Sequence, residues 1–222
     1  LAHARADIVM LCDQDDIWFP DKIEKLLPSV SASSGPTLVY ANAHYFDKDG
    51  VIERQVTRLH PNALNSLLFM NAGIQGCSMM INGALIQLLN RQPEQVAMHD
   101  HLLTLCAICF GKIRYVDEVL MLYRQHRNNA TAHHVSRRKQ LRNWIFTAAG
   151  VVDPQHYAAN CAFYEAYKSD LSDMQVRVFE EYFKFVTSDS VLRRLGIIWR
   201  NNFSLGGNKA VLLLKTLLRK AI

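Results

Sequence analysis

A disulfide framework is missing from this chain. Its five cysteines are odd in number and irregularly spaced, whereas a secreted, disulfide-stapled domain carries an even set at ordered intervals. A reduced, cytosolic protein is therefore expected. Cys106 and Cys109 do form a Cys-x-x-Cys, but Leu105, Ala107, Ile108 and Phe110 around them make them small apolar residues of a buried helix. There is no charged-then-apolar leader and no run of about 18 apolar residues, the length that spans a bilayer, so any membrane contact is expected to be peripheral. Internal repeats and heptad runs are also lacking. Half of the residues are hydrophobic and a fifth charged, a balance that excludes disorder and supports a sizeable core.

What is present is a net charge of +5 and a concentration of acids at one point. The basic excess admits nucleic acid, an anionic membrane or an acidic substrate as partner, and it lies in the C-terminal third. The acids lie near the start. An apolar run from Ile8 to Cys12 has the character of a buried strand and delivers Asp13, Asp15 and Asp16 at its carboxyl end, where open α/β sheets bind ligands. Carboxylates crowded together repel unless a cation sits between them, and their hard oxygens suit Mg2+ or Mn2+. Asp-x-Asp reads as a metal and diphosphate site, against the plainer reading of a solvated loop or helix cap. An EF-hand is excluded, because Trp18 occupies the sixth position where that loop needs glycine.

The stretch Cys-Asp-Gln-Asp-Asp-Ile-Trp-Phe-Pro-Asp-Lys-Ile, residues 12–23, resembles the Asp-Gln-Asp-Asp-x-Trp-x-Pro-x-Lys segment of bacterial family 2 glycosyltransferases, above all their rhamnosyltransferase-like branch. Three later segments follow in the order that family shows, so the resemblance covers roughly residues 1–130. It implies an α/β fold: residues 1–134 would be the C-terminal part of a GT-A domain, a Rossmann-like mixed sheet, and residues 135–222 a helical tail with a basic amphipathic end. It also implies that Asp13 and Asp15 hold Mg2+ or Mn2+, and that Asp13, Gln14, Asp16 and Trp18 contact a nucleotide-sugar donor. In that family the first βαβ units precede this strand and grip the nucleotide. The opening Leu1-Ala2-His3-Ala4-Arg5-Ala6, without Met, reads as the end of a helix. A fragment, inactive by itself, is the expectation.

Further along, Pro20 is placed at a helix start with Ile23, Leu26 and Leu27 on one face, and Thr37–Ala41 is a second strand. Asp47-Lys48-Asp49-Gly50 signals a hairpin, and Asn62–Met70 a helix capped by Asn62 and ended by Gly73. Gly76-Cys77-Ser78 opens a strand-like run whose small residues let a ligand or another backbone approach closely. His99-Asp100-His101 precedes an apolar helix, where Asp100 could simply cap or complement the dipole. No third ligand at fixed spacing supports zinc there. The resemblance implies more: Gly76, Cys77, Ser78 and His99 would lie on the acceptor side, and Asp100 would be the general base. After two short strand runs within Lys112–Tyr123 comes Arg124-Gln125-His126-Arg127-Asn128-Asn129, which matches a family segment that closes over the donor phosphates through Arg124, His126 and Asn128. Arg127 stands where the family has glycine.

From Val135 onward helices are expected, with starts at Asp153-Pro154, Ser172 and Ser190. From Val191 to Ile222 there are seven Lys or Arg and no acid. A projection from Gly207 gathers Ala210, Val211, Leu214, Leu217, Leu218 and Ala221 on one side, with Leu212 and Leu213 straying toward the other, as in an interfacial helix on the inner face of the plasma membrane; packing on the domain is the plainer role. The expected reaction is inverting transfer of a sugar, rhamnose if the branch holds, from a nucleotide-diphosphate donor to a glycan or lipid-linked glycan. A metal-dependent phosphohydrolase would use the same acids. A non-catalytic basic module for membrane or nucleic acid is the remaining alternative, and nucleic acid is disfavoured because the basic residues gather in the tail.

Overall fold

The computed structural model describes residues 6–125 and 150–222. Its centre is a six-stranded mixed sheet built from β1 (Ile8–Met10), β2 (Ile17–Trp18), β3 (Thr37–Asp47), β4 (Gly50–Gln55), β5 (Met79–Asn82) and β6 (Lys112–Arg124). The order is β1-β5-β3-β6-β2, with β4 also on β3. β5 runs antiparallel to both β1 and β3, while β6 is parallel to β3. The carboxyl ends of β1, β3 and β6 therefore share one side of the sheet. Because β1 and β2 sit at opposite ends of the strand order, Leu11–Asp16 must cross those ends. That crossing places the acids.

β3 is buried along nearly its whole length and shows why the sheet has two covered faces. Leu38 and Tyr40 point into the main core, while Val39 and Ala41 point into a second cluster with Leu26 and Val30. Met79 and Ile81 of β5 face the first core and Met80 the second, as the period-2 geometry of a strand requires. The second face is covered by α1 (Lys22–Ser31). Its buried stripe is Lys22, Leu26 and Val30; Ile23 and Leu27 are exposed, unlike the face expected from sequence. Asp21 holds the N-cap position, so Pro20 precedes the helix and is not its first residue.

The hairpin at Asp47–Gly50 is present, and Gly50 takes the positive φ of its turn. Two strands are longer than expected. β3 continues past Ala41 because Asn42, fully buried at a bulge, supplies the bonds the ladder loses: its Oδ1 accepts from the Ala43 and Thr57 N–H, and its Nδ2 donates to the Thr57 carbonyl. β6 is one strand through Asp117-Glu118, since β3 pairs with it on both sides. The expected helix at Asn62–Met70 shrinks to α2 (Leu64–Leu67), with Ala63 at the cap position and no side-chain cap.

The main core joins sheet and tail. Besides α2, α3 (Gly83–Leu88) and α4 (His99–Phe110), it takes in α5 (Pro154–Tyr167), α6 (Asp173–Val186), α7 (Val191–Arg200) and α8 (Lys209–Leu218). Phe69 meets Tyr182, Phe185 and Phe203 edge-on, with centroids at 5.3, 4.9 and 5.1 Å. The starts of these helices were legible: Asp153 caps α5 with Pro154 at its first turn, Ser172 forms a capping box with Gln175, and Ser190 accepts from the Arg193 N–H.

Candidate functional site

A cleft of about 400 Å³ opens at the carboxyl side of the sheet, lined by Asp13, Gly76, Cys77, His99 and Asp100 among others. Segments far apart in sequence are brought together here by the crossing of Leu11–Asp16 and by close packing of residues 73–78 on the start of α4. Two glycines make that packing possible. A Cβ on Gly73 would lie 2.5 Å from the Asp100 carbonyl oxygen, and one on Gly76 would lie 2.7 Å from His99 Nε2. Gly76, one of the small residues singled out for close approach, meets the His99 side chain, and the close approach of another backbone occurs at Gly73, which was expected only to end a helix.

Asp100 lies in the first turn of α4 and is buried, at 8% exposure. Its Oδ1 accepts the His101 N–H at 2.6 Å, and the Gly76 N–H also favours the charged form. Burial outweighs these donors and the nearby His99 and His156, raising the carboxyl above its ordinary value. Met98 holds the cap position, without a side-chain capping bond. A partly desolvated carboxyl at a cleft wall is suited to accept a proton.

The acids at the end of β1 separate into different environments. Asp13 lines the cleft, and one ligand atom each from Asp13, Asp16 and Cys77 lies within 4.8 Å of the others. Asp16 in place of Asp15 joins this group; the Asp15 carbonyl instead accepts from Arg124 Nε at 2.9 Å. Asp16 Oδ1 accepts the Arg124 N–H at 2.9 Å. Among the described residues, its Oδ2 is enclosed with no partner beyond the weakly donating Cys77 thiol. Burial, opposed by the Arg124 and Cys77 bonds and assisted by Asp13 and Asp15, raises the Asp16 carboxyl.

Beneath this group lies Lys22, at 0% exposure. Its Nζ donates to the Cys77 carbonyl at 2.8 Å and to Met121 Sδ at 3.1 Å, and sits 4.0 Å from the Trp18 ring centroid. Burial lowers its ammonium to about 8, against the pull of Cys77, Asp16, Cys12 and Asp13. It remains charged at neutral pH. Part of the charge balance the acids require is thus internal.

The donor set fits a hard divalent cation in part. Two carboxylates suit Mg2+ or Mn2+, while the Cys77 thiol, raised by burial and by Asp16, is neutral and must lose a proton to ligate. Asp13 and Asp16 would hold the ion, leaving further positions to ligand oxygens or water.

The other expected residues fall as follows. Gln14 is exposed, Trp18 is half-buried under Lys22, and Arg124 braces the acid loop and lies over Phe46 at 4.4 Å. Gly76-Cys77-Ser78 forms a 3-10 turn before β5, and Ser78 is buried with its Oγ donating to the Gln75 carbonyl at 2.7 Å, away from the cleft lining. His126 and Asn128 lie outside the described residues. Sequence reasoning missed Tyr45, Arg58, Gln75 and Tyr123, which also line the cleft. Tyr45 and Tyr123 could have been suspected as partners on the parallel pair β3 and β6; Arg58, in an irregular segment, carries no signal in the sequence. Compared with models of known families and with curated proteins, the chain matches none.

Behind Asp100, His101 is buried with its ring edge-on to His156 at 5.1 Å. Burial, with His156 nearby, presses its imidazole down to about 3. An unfolded histidine takes a proton below about 6.5, so the native state loses stability as pH falls through the window from 6.5 toward 3, by about 2 kcal/mol at pH 5. Asp100 acts in the opposite sense, since its raised carboxyl favours the folded state at acid pH. Comparing urea melts of wild type and His101→Leu at pH 7 and 5 isolates the histidine: the variant should lose this acid-side slope, and an unchanged slope would place the acid sensitivity elsewhere.

Proposed function

We propose that the chain carries the catalytic and metal-binding part of an inverting, metal-dependent glycosyltransferase of the family 2 type. The supporting observation is the convergence of Asp13 and Asp100 on one cleft, one from a strand end and the other from a helix start 87 positions later. Asp13 and Asp16 would hold Mg2+ or Mn2+ with the donor diphosphate, where the ion would offset charge on the departing phosphate. Asp100 would take the proton of the acceptor hydroxyl as its oxygen attacks the anomeric carbon and the bond to the diphosphate breaks. Arg58 at the cleft rim would add a cation for the diphosphate. The acceptor is a hydroxyl of a bacterial surface glycan, free or lipid-linked, and the proposed place of action is the cytoplasmic side of the plasma membrane.

The test is release of nucleoside diphosphate by the full-length protein from a panel of nucleotide-sugars, with and without glycan acceptor and with Mn2+ or EDTA. Acceptor- and metal-dependent release is expected. Phosphate release without acceptor would establish the phosphohydrolase alternative, and no turnover of any donor would remove the enzymatic reading.

A further inference from the structure

The two last helices bury Ile197, Ile198 and Leu212 and also carry apolar residues on their outer sides. In α7, Leu192, Leu195 and Trp199 share one face at the i, i+3, i+7 spacing, and Leu192 and Trp199 are 81% and 70% exposed. In α8, Ala210, Leu214, Leu217 and Leu218 share a face, with Leu217 at 57% exposure, whereas the residues that bury themselves are Leu212 and Thr216. Packing on the domain, the plainer role for this helix, would have buried the leucine face. It is the other side that meets the core. The two stripes adjoin where Lys209 Nζ lies 5.1 Å from the Trp199 ring.

Cations border these stripes. Arg193, Arg200 and Lys220 are exposed, while Arg194 and Lys215 are drawn inward, donating to the Arg219 and Val151 carbonyls. No acid occurs from Val191 to Ile222. A second copy of the chain would bring this basic surface against itself, and a nucleic acid would leave the exposed leucines and Trp199 uncovered. An anionic lipid surface satisfies both features: acyl chains take the leucines, the headgroup layer takes Trp199, and lipid phosphates face the Arg and Lys. Each helix has ten residues, about 15 Å at 1.5 Å per residue, too short to span.

We propose that α7 and α8 form an interfacial membrane-binding surface selective for anionic lipid. This stands apart from the reaction, since it uses no residue of the cleft. The test is sedimentation with vesicles of phosphatidylcholine alone or of equal parts phosphatidylcholine and phosphatidylglycerol, without any sugar donor. The protein should pellet with the anionic vesicles at low salt and be released at high salt. Arg193→Gln should weaken partitioning about five-fold. Trp199→Glu combined with Leu217→Glu should abolish it while leaving the thermal melt in place, because both side chains are largely exposed. Pelleting of that double variant like wild type, equal pelleting with neutral vesicles, or none with either would overturn the proposal. So would a concentration-dependent dimer that the double variant dissolves, which would give the face to a second copy.

Discussion

Asp100→Asn in the full-length protein should lower turnover by about 100- to 10,000-fold, the range a well-placed general base contributes, while donor affinity stays near wild type. The amide keeps the shape of the carboxyl and can still accept the His101 N–H through its oxygen, so the first turn of α4 stays supported. It cannot take a proton. The direction of the carboxyl's shift adds a pH signature. Burial raises Asp100, and the base is active only when ionised, so activity should rise with pH through a value above that of an ordinary carboxylate. Rapid-quench turnover across pH with wild type and Asp100→Asn checks both statements. A variant that turns over normally removes Asp100 from the chemistry. One that unfolds assigns it to the support of α4.

Asp13→Asn should weaken Mn2+ binding in the presence of a nucleoside diphosphate by at least about 100-fold, since even the hydrogen-bond partners of metal ligands are worth about 10- to 100-fold. Asp13 is the cleaner position for the measurement. Asp16 also anchors the end of β6 through the Arg124 N–H, so its replacement would disturb the loop as well as the ion. Mn2+ titration followed by electron paramagnetic resonance reads the affinity directly, and the melting temperature of the variant should stay close to wild type. Equal affinity in Asp13→Asn would show that the ion, if held, is held elsewhere.

The candidate site was legible in its strongest parts because they are local. The strand expected over Ile8–Cys12 is present only as Ile8–Met10, half-buried at the end of the strand order, but the acids after it, the start of α4 at His99-Asp100 and the small residues at Gly76-Cys77 are each short patterns that stand out locally. What escaped was the division of labour among the acids. Asp15 and Asp16 are neighbours in the chain, yet Asp16 rather than Asp15 joins Asp13 and Cys77, and that follows from where the end of β6 delivers the Arg124 N–H. Lys22 is a similar case. In sequence it is a lysine in the first turn of a helix, where solvent exposure is the ordinary outcome; packing of α1 on the sheet places its ammonium under the cleft.

The amino-acid sequence by itself determined the strand at Thr37–Ala41, the hairpin at Gly50, the capped starts of α5, α6 and α7, and the concentration of basic charge near the end. These depend on interactions within a few residues: side-chain period, turn conformation and the satisfaction of backbone N–H groups. The tertiary structure alone decided that the acids cross the sheet from β1 to β2, which of them share space with Cys77, how Gly73 admits the Asp100 backbone, and which side of α8 meets the core. Those depend on contacts between segments tens to more than a hundred residues apart. On α8, Leu214, Leu217 and Leu218 of the apolar side legible in the sequence are left exposed, while Leu212 and Thr216 meet the core and Ala221, beyond the helix, is buried.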